Sequence, residues 1–397
     1  MTIMWAIGTV VTVEENHPGV QELQVQMSNG NLEGAVHFPG ETGMIRVRAG
    51  VRVVLNVTAE RLKLGSGGMH FVHHVLEHKG MVELDTIPQA EGHIMKLRYT
   101  PQQRAVLAVE EAASPHHELF RGRPQLDGLP VLIGELHSML PIACAWLMAE
   151  RGTGVGVGGL RLSYVMTDGG ALPLAYSRHA AALTACGWLA GTVTYGHAYG
   201  GTHEAVNKFT ALLTARHVHR ADIAIATMGP GIVGTGTRLG HTATETAELV
   251  HATLALGGRA IVVPRLGFAD ARERHRGLCA HTLAALGDLC LAPATLPLPA
   301  ELPPEARACI HRQIAEADLA SMHYIPVVPG MDPVAIAQRM AAYPLPITTM
   351  GRRFEDDPAY WAGVCAAAEY ARLLLETEQA LNLAPDGKEG GTSYTGA

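Results

Sequence analysis

Histidine, aspartate, serine and threonine recur beside paired glycines through the middle of the chain. That combination suits proton transfer and the gripping of an anion by backbone N–H groups. Asp168-Gly169-Gly170 closes an apolar run with Pro173 soon after. Asp168 could bind Mg²⁺, accept a ribose hydroxyl, act as a base, or cap the next helix. His197, between Gly196 and the pair Gly200-Gly201, is a candidate general acid or base whose neighbours let a substrate approach the backbone. His137 is a third catalytic candidate, and the adjoining Ser138 precedes a helix with Pro141 near its start, a pattern that favours an N-cap over a nucleophile. Glu111, Ser114, His116 and His117 form a secondary polar group after an earlier apolar run.

Gly229-x-Gly231-x-x-Gly234 follows a strand-like segment and matches the dinucleotide fingerprint by letter. Pro230 lies inside the turn, however, and Thr235-Gly236-Thr237 delays the helix that this motif should open at once. The next strand also ends in Pro264-Arg265 where an acidic ribose ligand would stand. These features weaken a nicotinamide or flavin site and favour a phosphate-binding nest or a structural turn. Asp270 and Glu273 are spaced as a capping box, which predicts a helix from Ala271. Arg272, Arg274, His275 and Arg276 would then crowd the positive end of the helix dipole, each unfavourable by about 0.3–1 kcal/mol. With Arg265 they point to an anion to be gripped or to carboxylates from elsewhere in the fold; arginines splayed into solvent or paired across a subunit interface are the alternative. No G-x-x-x-x-G-K-[ST] is present, which excludes a P-loop nucleotidase. His74-x-x-Glu77-His78 has the letters of an inverted zinc-protease motif but follows β-type sequence, and His217-x-His219 ends a helix where positive charge needs no function. Whether a metal binds stays open.

These residues need elements to hold them. The chain has 397 residues, 48% hydrophobic and only 17% charged, so most of it must fold around a sizeable core. A formal charge of -7 argues against nucleic acid or an anionic lipid surface as partner. No apolar run approaches the roughly 20 residues that span a bilayer. Six cysteines without a C-x-x-C pair read as reduced thiols in a cytoplasmic protein. Short β-type runs between Gly, Pro and Asn turns predict a barrel-like domain over 1–90, with turns at Gly40 to Gly43 and a flexible exit at Gly65 to Gly68.

Over 91–292, apolar runs alternate with helical stretches, the signature of a parallel sheet buried on both faces. Six strands are expected, at Ala105 to Val109, Val131 to Leu136, Leu160 to Met166, Gly191 to Tyr195, Ala221 to Thr227 and Arg259 to Val263, with helices over Glu204 to His219 and Thr242 to Leu256. The fold class is therefore α/β with a doubly wound, mostly parallel sheet, a small N-terminal β-barrel-like domain and a helical C-terminal cap. The cap covers 293–382, with helices over Pro304 to Asp318, from Asp332 as N-cap, and over Asp357 to Thr377. A mobile loop is expected at Gly152 to Gly159 and a disordered tail at 383–397.

Six strings carry a resemblance: GHIMKLRYTP from Gly92, AVEEAASPHHE from Ala108, LHSMLP from Leu136, YVMTDGGALPLAYS from Tyr164, MGPGIVGTGTRLGH from Met228 and FADARERHRG from Phe268. On these the chain resembles, up to about Tyr370, a bacterial family of Firmicutes type catalogued as a domain of unknown function. The resemblance implies one recurring architecture and supplies no activity, cofactor or catalytic residue. The residues themselves lead to the functional expectation, a hydrolase or transferase binding a small phosphorylated or otherwise anionic metabolite at the carboxyl edge of the sheet. A non-enzymatic sensor of such a metabolite and an NAD(P)- or flavin-dependent oxidoreductase are the alternatives, and the low surface charge suggests a homo-oligomer.

Overall fold

The computed structural model describes residues 3–17, 19–39, 46–64, 67–76, 92–100, 102–149, 159–170 and 172–383. The expected turn at Gly40 to Gly43, much of the exit at Gly65 to Gly68, Glu77 and His78 of the zinc-like letters, the Gly152 to Gly159 loop except its last residue, and the tail beyond 383 lie outside the described residues.

The chain opens with β1 (Trp5–His17), β2 (Val20–Met27), β3 (Leu32–His37), β4 (Arg52–Asn56) and β5 (Met69–Val75), which close into a barrel in the order β1-β2-β3-β5-β4. Alternation makes this possible: Leu23, Val25 and Met27 of β2 turn inward while Gln24 and Gln26 face out. The inward residues meet Val10, Ala35, Val53 and Leu55 in a small core. Gly8 sits where any side chain would strike Val25, so its lack of a Cβ lets β1 close on β2. Closure pairs every strand on both sides and leaves no exposed edge. The short helix α1 (Thr58–Arg61) follows β4. Tyr176 packs its ring against Phe38 and Phe71 of the barrel, at centroid distances of 6.1 and 5.8 Å, and Arg178 pairs with Glu22.

The second unit is a parallel sheet. After the small antiparallel pair β6 (Ile94–Lys96) and β7 (Arg104–Val106), the chain builds β8 (Pro130–Gly134), α2 (Met139–Met148), β9 (Leu162–Thr167), α3 (Arg178–Ala185), β10 (Leu189–Tyr195), β11 (His203–Ala205), α4 (Lys208–His217), β12 (Ile223–Met228), α5 (Glu245–Ala255) and β13 (Arg259–Val262). The strands lie in the order β11-β10-β9-β12-β8-β13. Every residue of β8, β9 and β12 is buried, so the apolar runs do report a sheet covered on both sides. Alternate side chains feed two cores. Leu132, Tyr164, Met166 and Ile225 meet α2 and α3, whereas Val131, Ile133, Val165 and Ala226 meet α4 and α5.

Two expectations are corrected here. Ala105 to Val109 is not a strand of this sheet: Arg104–Val106 pairs with β6, and Ala108 makes only an isolated bridge to Glu204. The sixth strand is β11, three residues long, which overlaps the start of the stretch expected to be helical from Glu204. Three residues are too few for any periodicity to declare itself. The predicted helix at Ala271 is absent as well. Residues Glu273–His275 form one 3₁₀ turn, because the Asp270 carboxylate binds the side chains of Arg272 and Arg352 as well as the Arg272 N–H, and does not cap a helix.

The chain ends with α6 (Ala280–Ala284), α7 (Pro304–Glu316), α8 (Pro333–Met340) and α9 (Pro358–Leu383). Asp332 caps α8 as its sequence implied, accepting from the N–H groups of Val334 and Ala335. The small residues Cys365 to Ala368 and Ala371 are fully buried, which lets α9 lie close against α2 and the sheet. Trp146 of α2 donates to Glu369 of α9 at 2.9 Å within that contact. No described helix is long and apolar enough to cross a membrane.

Leu132 is fully buried at the centre of one of these cores. Leu132→Ala is expected to lower the unfolding free energy by about 2–5 kcal/mol, read from urea denaturation. A loss below about 1 kcal/mol would show that this core can collapse around the gap.

Candidate functional site

Because the interior strands are covered on both faces, polar side chains can emerge only at strand ends. At the carboxyl edge, the loops after β9, β10 and β12 and the first turns of α4 and α5 enclose a cleft of about 420 Å³. Asp168, Gly169, Tyr195, Gly196, Lys208, Thr242, Glu245 and Glu248 are among its walls. Asp168 directly follows β9, and its Oδ2 accepts the N–H of His197 at 3.2 Å. Gly196 is required at its position, since its φ is +65° and a Cβ there would collide with the Asp168 carboxylate.

Glu245, in the first turn of α5, is held at both oxygens. Thr167 donates to Oε2 at 2.6 Å and Tyr195 to Oε1 at 2.8 Å. Burial raises the pKa of Glu245 against the lowering effect of these two hydrogen bonds, and the charge of Asp168 pushes it the same way as burial. Tyr195 is raised well above its ordinary range, first by burial and then by Glu245. Glu248 pairs with Lys208, the first residue of α4, whose N-cap Asn207 accepts from Phe209 and Thr210. Lys96 braces the loop after β10 from below, donating to Thr194 O at 3.1 Å, Ala198 O at 2.5 Å and Glu204 at 2.5 Å. Burial lowers its pKa while Glu204 opposes the shift.

The expected residues divide between places. Asp168, Gly169 and Gly196 belong to the cleft, and Gly170 packs against the Gly229 backbone so that the loops after β9 and β12 can touch. His197 does not line the cleft: its backbone N–H reaches Asp168, and its Nδ1 accepts the N–H of Leu97 at 3.1 Å. His137 lies outside it. Its Nε2 is 2.7 Å from Ser177 Oγ and its Nδ1 is 3.3 Å from the Tyr164 hydroxyl, and burial, with His179 adding, lowers its pKa to about 3. Ser138 shares a hydrogen bond of 2.7 Å with Tyr360 and makes no side-chain cap to α2. Glu111 accepts from His93 and Ala108, the Ser114 hydroxyl accepts from the His116 N–H, and His117 Nδ1 is 2.7 Å from Glu110 O, so this group braces its own loop.

The glycine loop does not open a helix. Gly234 bridges His241, Thr235 N–H donates to Gly240 O at 2.8 Å, and α5 begins only at Glu245, so the excursion resembles a hairpin, with Gly231 and Gly236 at positive φ. The arginines do not converge on one anion. Arg272 forms a two-point bond to Asp270, Arg274 approaches Gly236, and Arg276 lies over the Phe268 ring. Arg265 and His275 turn inward to a buried group that also contains Glu135, Cys279 and His281. Glu245, Tyr195, Lys208 and Lys96 escaped notice in the sequence because each sits in an ordinary helical or strand-like stretch. The rule that a helix N-terminus follows each strand at this edge would have singled out Glu245 and Lys208.

The chain belongs to the family described as "Protein of unknown function (DUF3866)", which matches residues 35–368. No curated protein and no solved structure matches it.

A carboxyl whose pKa rises on folding makes the folded state hold its proton more tightly than the unfolded chain. The contribution of Glu245 to stability is therefore complete below its ordinary value of 4.5 and is lost as pH rises through the raised value. Glu245→Gln is expected to remove that part of the decline, which urea denaturation across this pH range would measure. A wild-type and variant pair with parallel pH profiles would show that Glu245 ionises normally in the fold.

Proposed function

We propose that this member of a family of unknown function binds and transforms a small phosphorylated or otherwise anionic metabolite in the cleft beyond β9, β10 and β12, as a hydrolase or transferase. The observation that carries the reading is that Asp168, after β9, and Glu245, in the first turn of α5, line the same cleft. Two neighbouring carboxyls in unlike surroundings are a common source of an acid and a base at one pH. Glu245, raised by burial, is the proton donor. Asp168 is the base, or the carboxylate that holds Mg²⁺ against the substrate's anionic group. Lys208, which pairs with Glu248, and the N–H groups at the start of α4 are the cationic elements of the lining.

The reading is supported by where the connections go. β9 leads to α3 in one core and β12, its neighbour, leads to α5 in the other. In a doubly wound sheet, which this arrangement favours, ligands bind at such a point. His197 serves by its backbone, orienting Asp168, and His137 supports the fold from the α2 side. All six cysteines are unpaired and four are buried, which fits a reducing, cytoplasmic setting. An exposed apolar stripe on β1, Trp5 at 47% and Ile7 at 51%, suits contact with a second copy of the chain.

A thermal-shift screen of phosphorylated metabolites, with and without Mg²⁺, followed by mass spectrometry, tests the proposal. Asp168→Asn and Glu245→Gln should each lower turnover of a hit by about 10²-fold or more while each protein stays folded. A ligand that stabilises the protein yet stays chemically intact would replace the enzyme with a sensor. Loss of folding in both variants would make the pair structural.

A further inference from the structure

We propose that Glu135, Cys279 and His281 hold a zinc-class divalent metal ion, at a site distinct from the Asp168 cleft. Glu135 directly follows β8, and Cys279 and His281 flank the first residue of α6. One ligand atom from each of the three lies within 4.8 Å of the others, and all three residues are buried. Tetrahedral zinc with bonds of about 2.0–2.3 Å needs separations of roughly 3.3–3.7 Å, so the three donors close on an ion by a small inward movement.

The Glu135 carboxylate is already divided in the manner of a metal ligand. Its Oε1 accepts from Thr282 at 3.3 Å and faces Arg265 Nη1 at 3.5 Å. Its Oε2 is buried with no hydrogen-bond partner, and His281 Nδ1 stands 3.9 Å away, beyond hydrogen-bond reach. Leaving a charged oxygen unsatisfied in the interior is costly, and a cation between these atoms removes the cost. His275 Nδ1 lies 3.0 Å from Cys279 Sγ, where an N–H would steady a thiolate, and the His241 ring stacks on His281 at 4.0 Å. Such outer partners orient the ligands of a metal site. The thiolate and the carboxylate together balance the two charges of the ion, and Arg265, whose Nη1 stands 3.5 Å from both Glu135 Oε1 and His281 Nδ1, leaves the occupied group with one net positive charge. A sulfur, a nitrogen and an oxygen donor select zinc or cobalt over magnesium, which takes oxygen ligands alone. Arg265 and His275 thereby act beside the metal site and not as anion grips.

The test uses the full chain without an affinity tag, freed of metal by a chelator and titrated with Zn²⁺ and with Co²⁺. One equivalent of metal per chain is expected, together with a thiolate-to-cobalt charge-transfer band that Cys279→Ser abolishes and a Zn²⁺-dependent rise in melting temperature that His281→Ala abolishes. Substoichiometric metal, a cobalt spectrum without the thiolate band, or a band that survives in a folded Cys279→Ser protein would overturn the site. Should Cys279→Ser fail to fold, the wild type decides: no band at one equivalent overturns the proposal, and a band joined to at least tenfold weaker binding in the near-isosteric Glu135→Gln supports it.

Discussion

Burial of the parallel sheet on both faces is the constraint from which the rest of the molecule follows. β8, β9 and β12 expose no side chain, so none of their lateral surface is open to a substrate or to water. Backbone groups inside are met by ladder bonds, and side-chain polarity is pushed to the strand ends, where the loops leave the sheet. The polar chemistry of a chain with 17% charged residues is thereby gathered into a few places. The amino edge also has one: Ser163 Oγ is 2.7 Å from His219 Nδ1, and His219 Nε2 is 2.9 Å from His203 Nδ1, but these groups satisfy each other, and His219, lowered first by burial to about 3, stays neutral.

Along the carboxyl edge the same force acts on two glutamates with different results. Glu245 and Glu135 are both raised chiefly by burial. The hydroxyls of Thr167 and Tyr195 occupy both oxygens of Glu245, and the residue sits on the wall of an open cleft. Glu135 has one oxygen served and one buried without a partner, amid Arg265, Cys279 and His281. The first arrangement suits a carboxyl that carries a proton to a small molecule. The second suits a carboxylate that meets a cation. Their separation also explains why the basic residues of 265–276 fail to form one clamp: each is drawn to a different local partner, Arg272 to Asp270, Arg265 to Glu135, Arg276 to an aromatic ring.

Much of this frame was legible beforehand. Five of the six expected sheet strands fall on observed ones, because buried parallel strands are continuous apolar runs and the helices between them carry their own period. Asp332 with Pro333 marked a helix start that the fold retains. Asp270 with Glu273 had equally good letters and failed, since two arginines, one of them distant in sequence, outbid the helix N–H groups for the carboxylate. Asp168 reached its cleft by a rule of position, strand end followed by glycines, whereas Glu245 is one of two acids on its helix and gains its meaning only from Thr167 and Tyr195.

The sequence by itself determined most of the strands and helices, because period and composition are local properties of the chain, but not the short β11 or the turn at Glu273–His275. The order β11-β10-β9-β12-β8-β13 was decided by tertiary structure alone. That order places Asp168 beside Glu245, and the fold separates the arginines and brings Glu135 to Cys279 and His281 across more than a hundred residues. Such juxtapositions depend on which strand lies next to which, and no period along the chain encodes that.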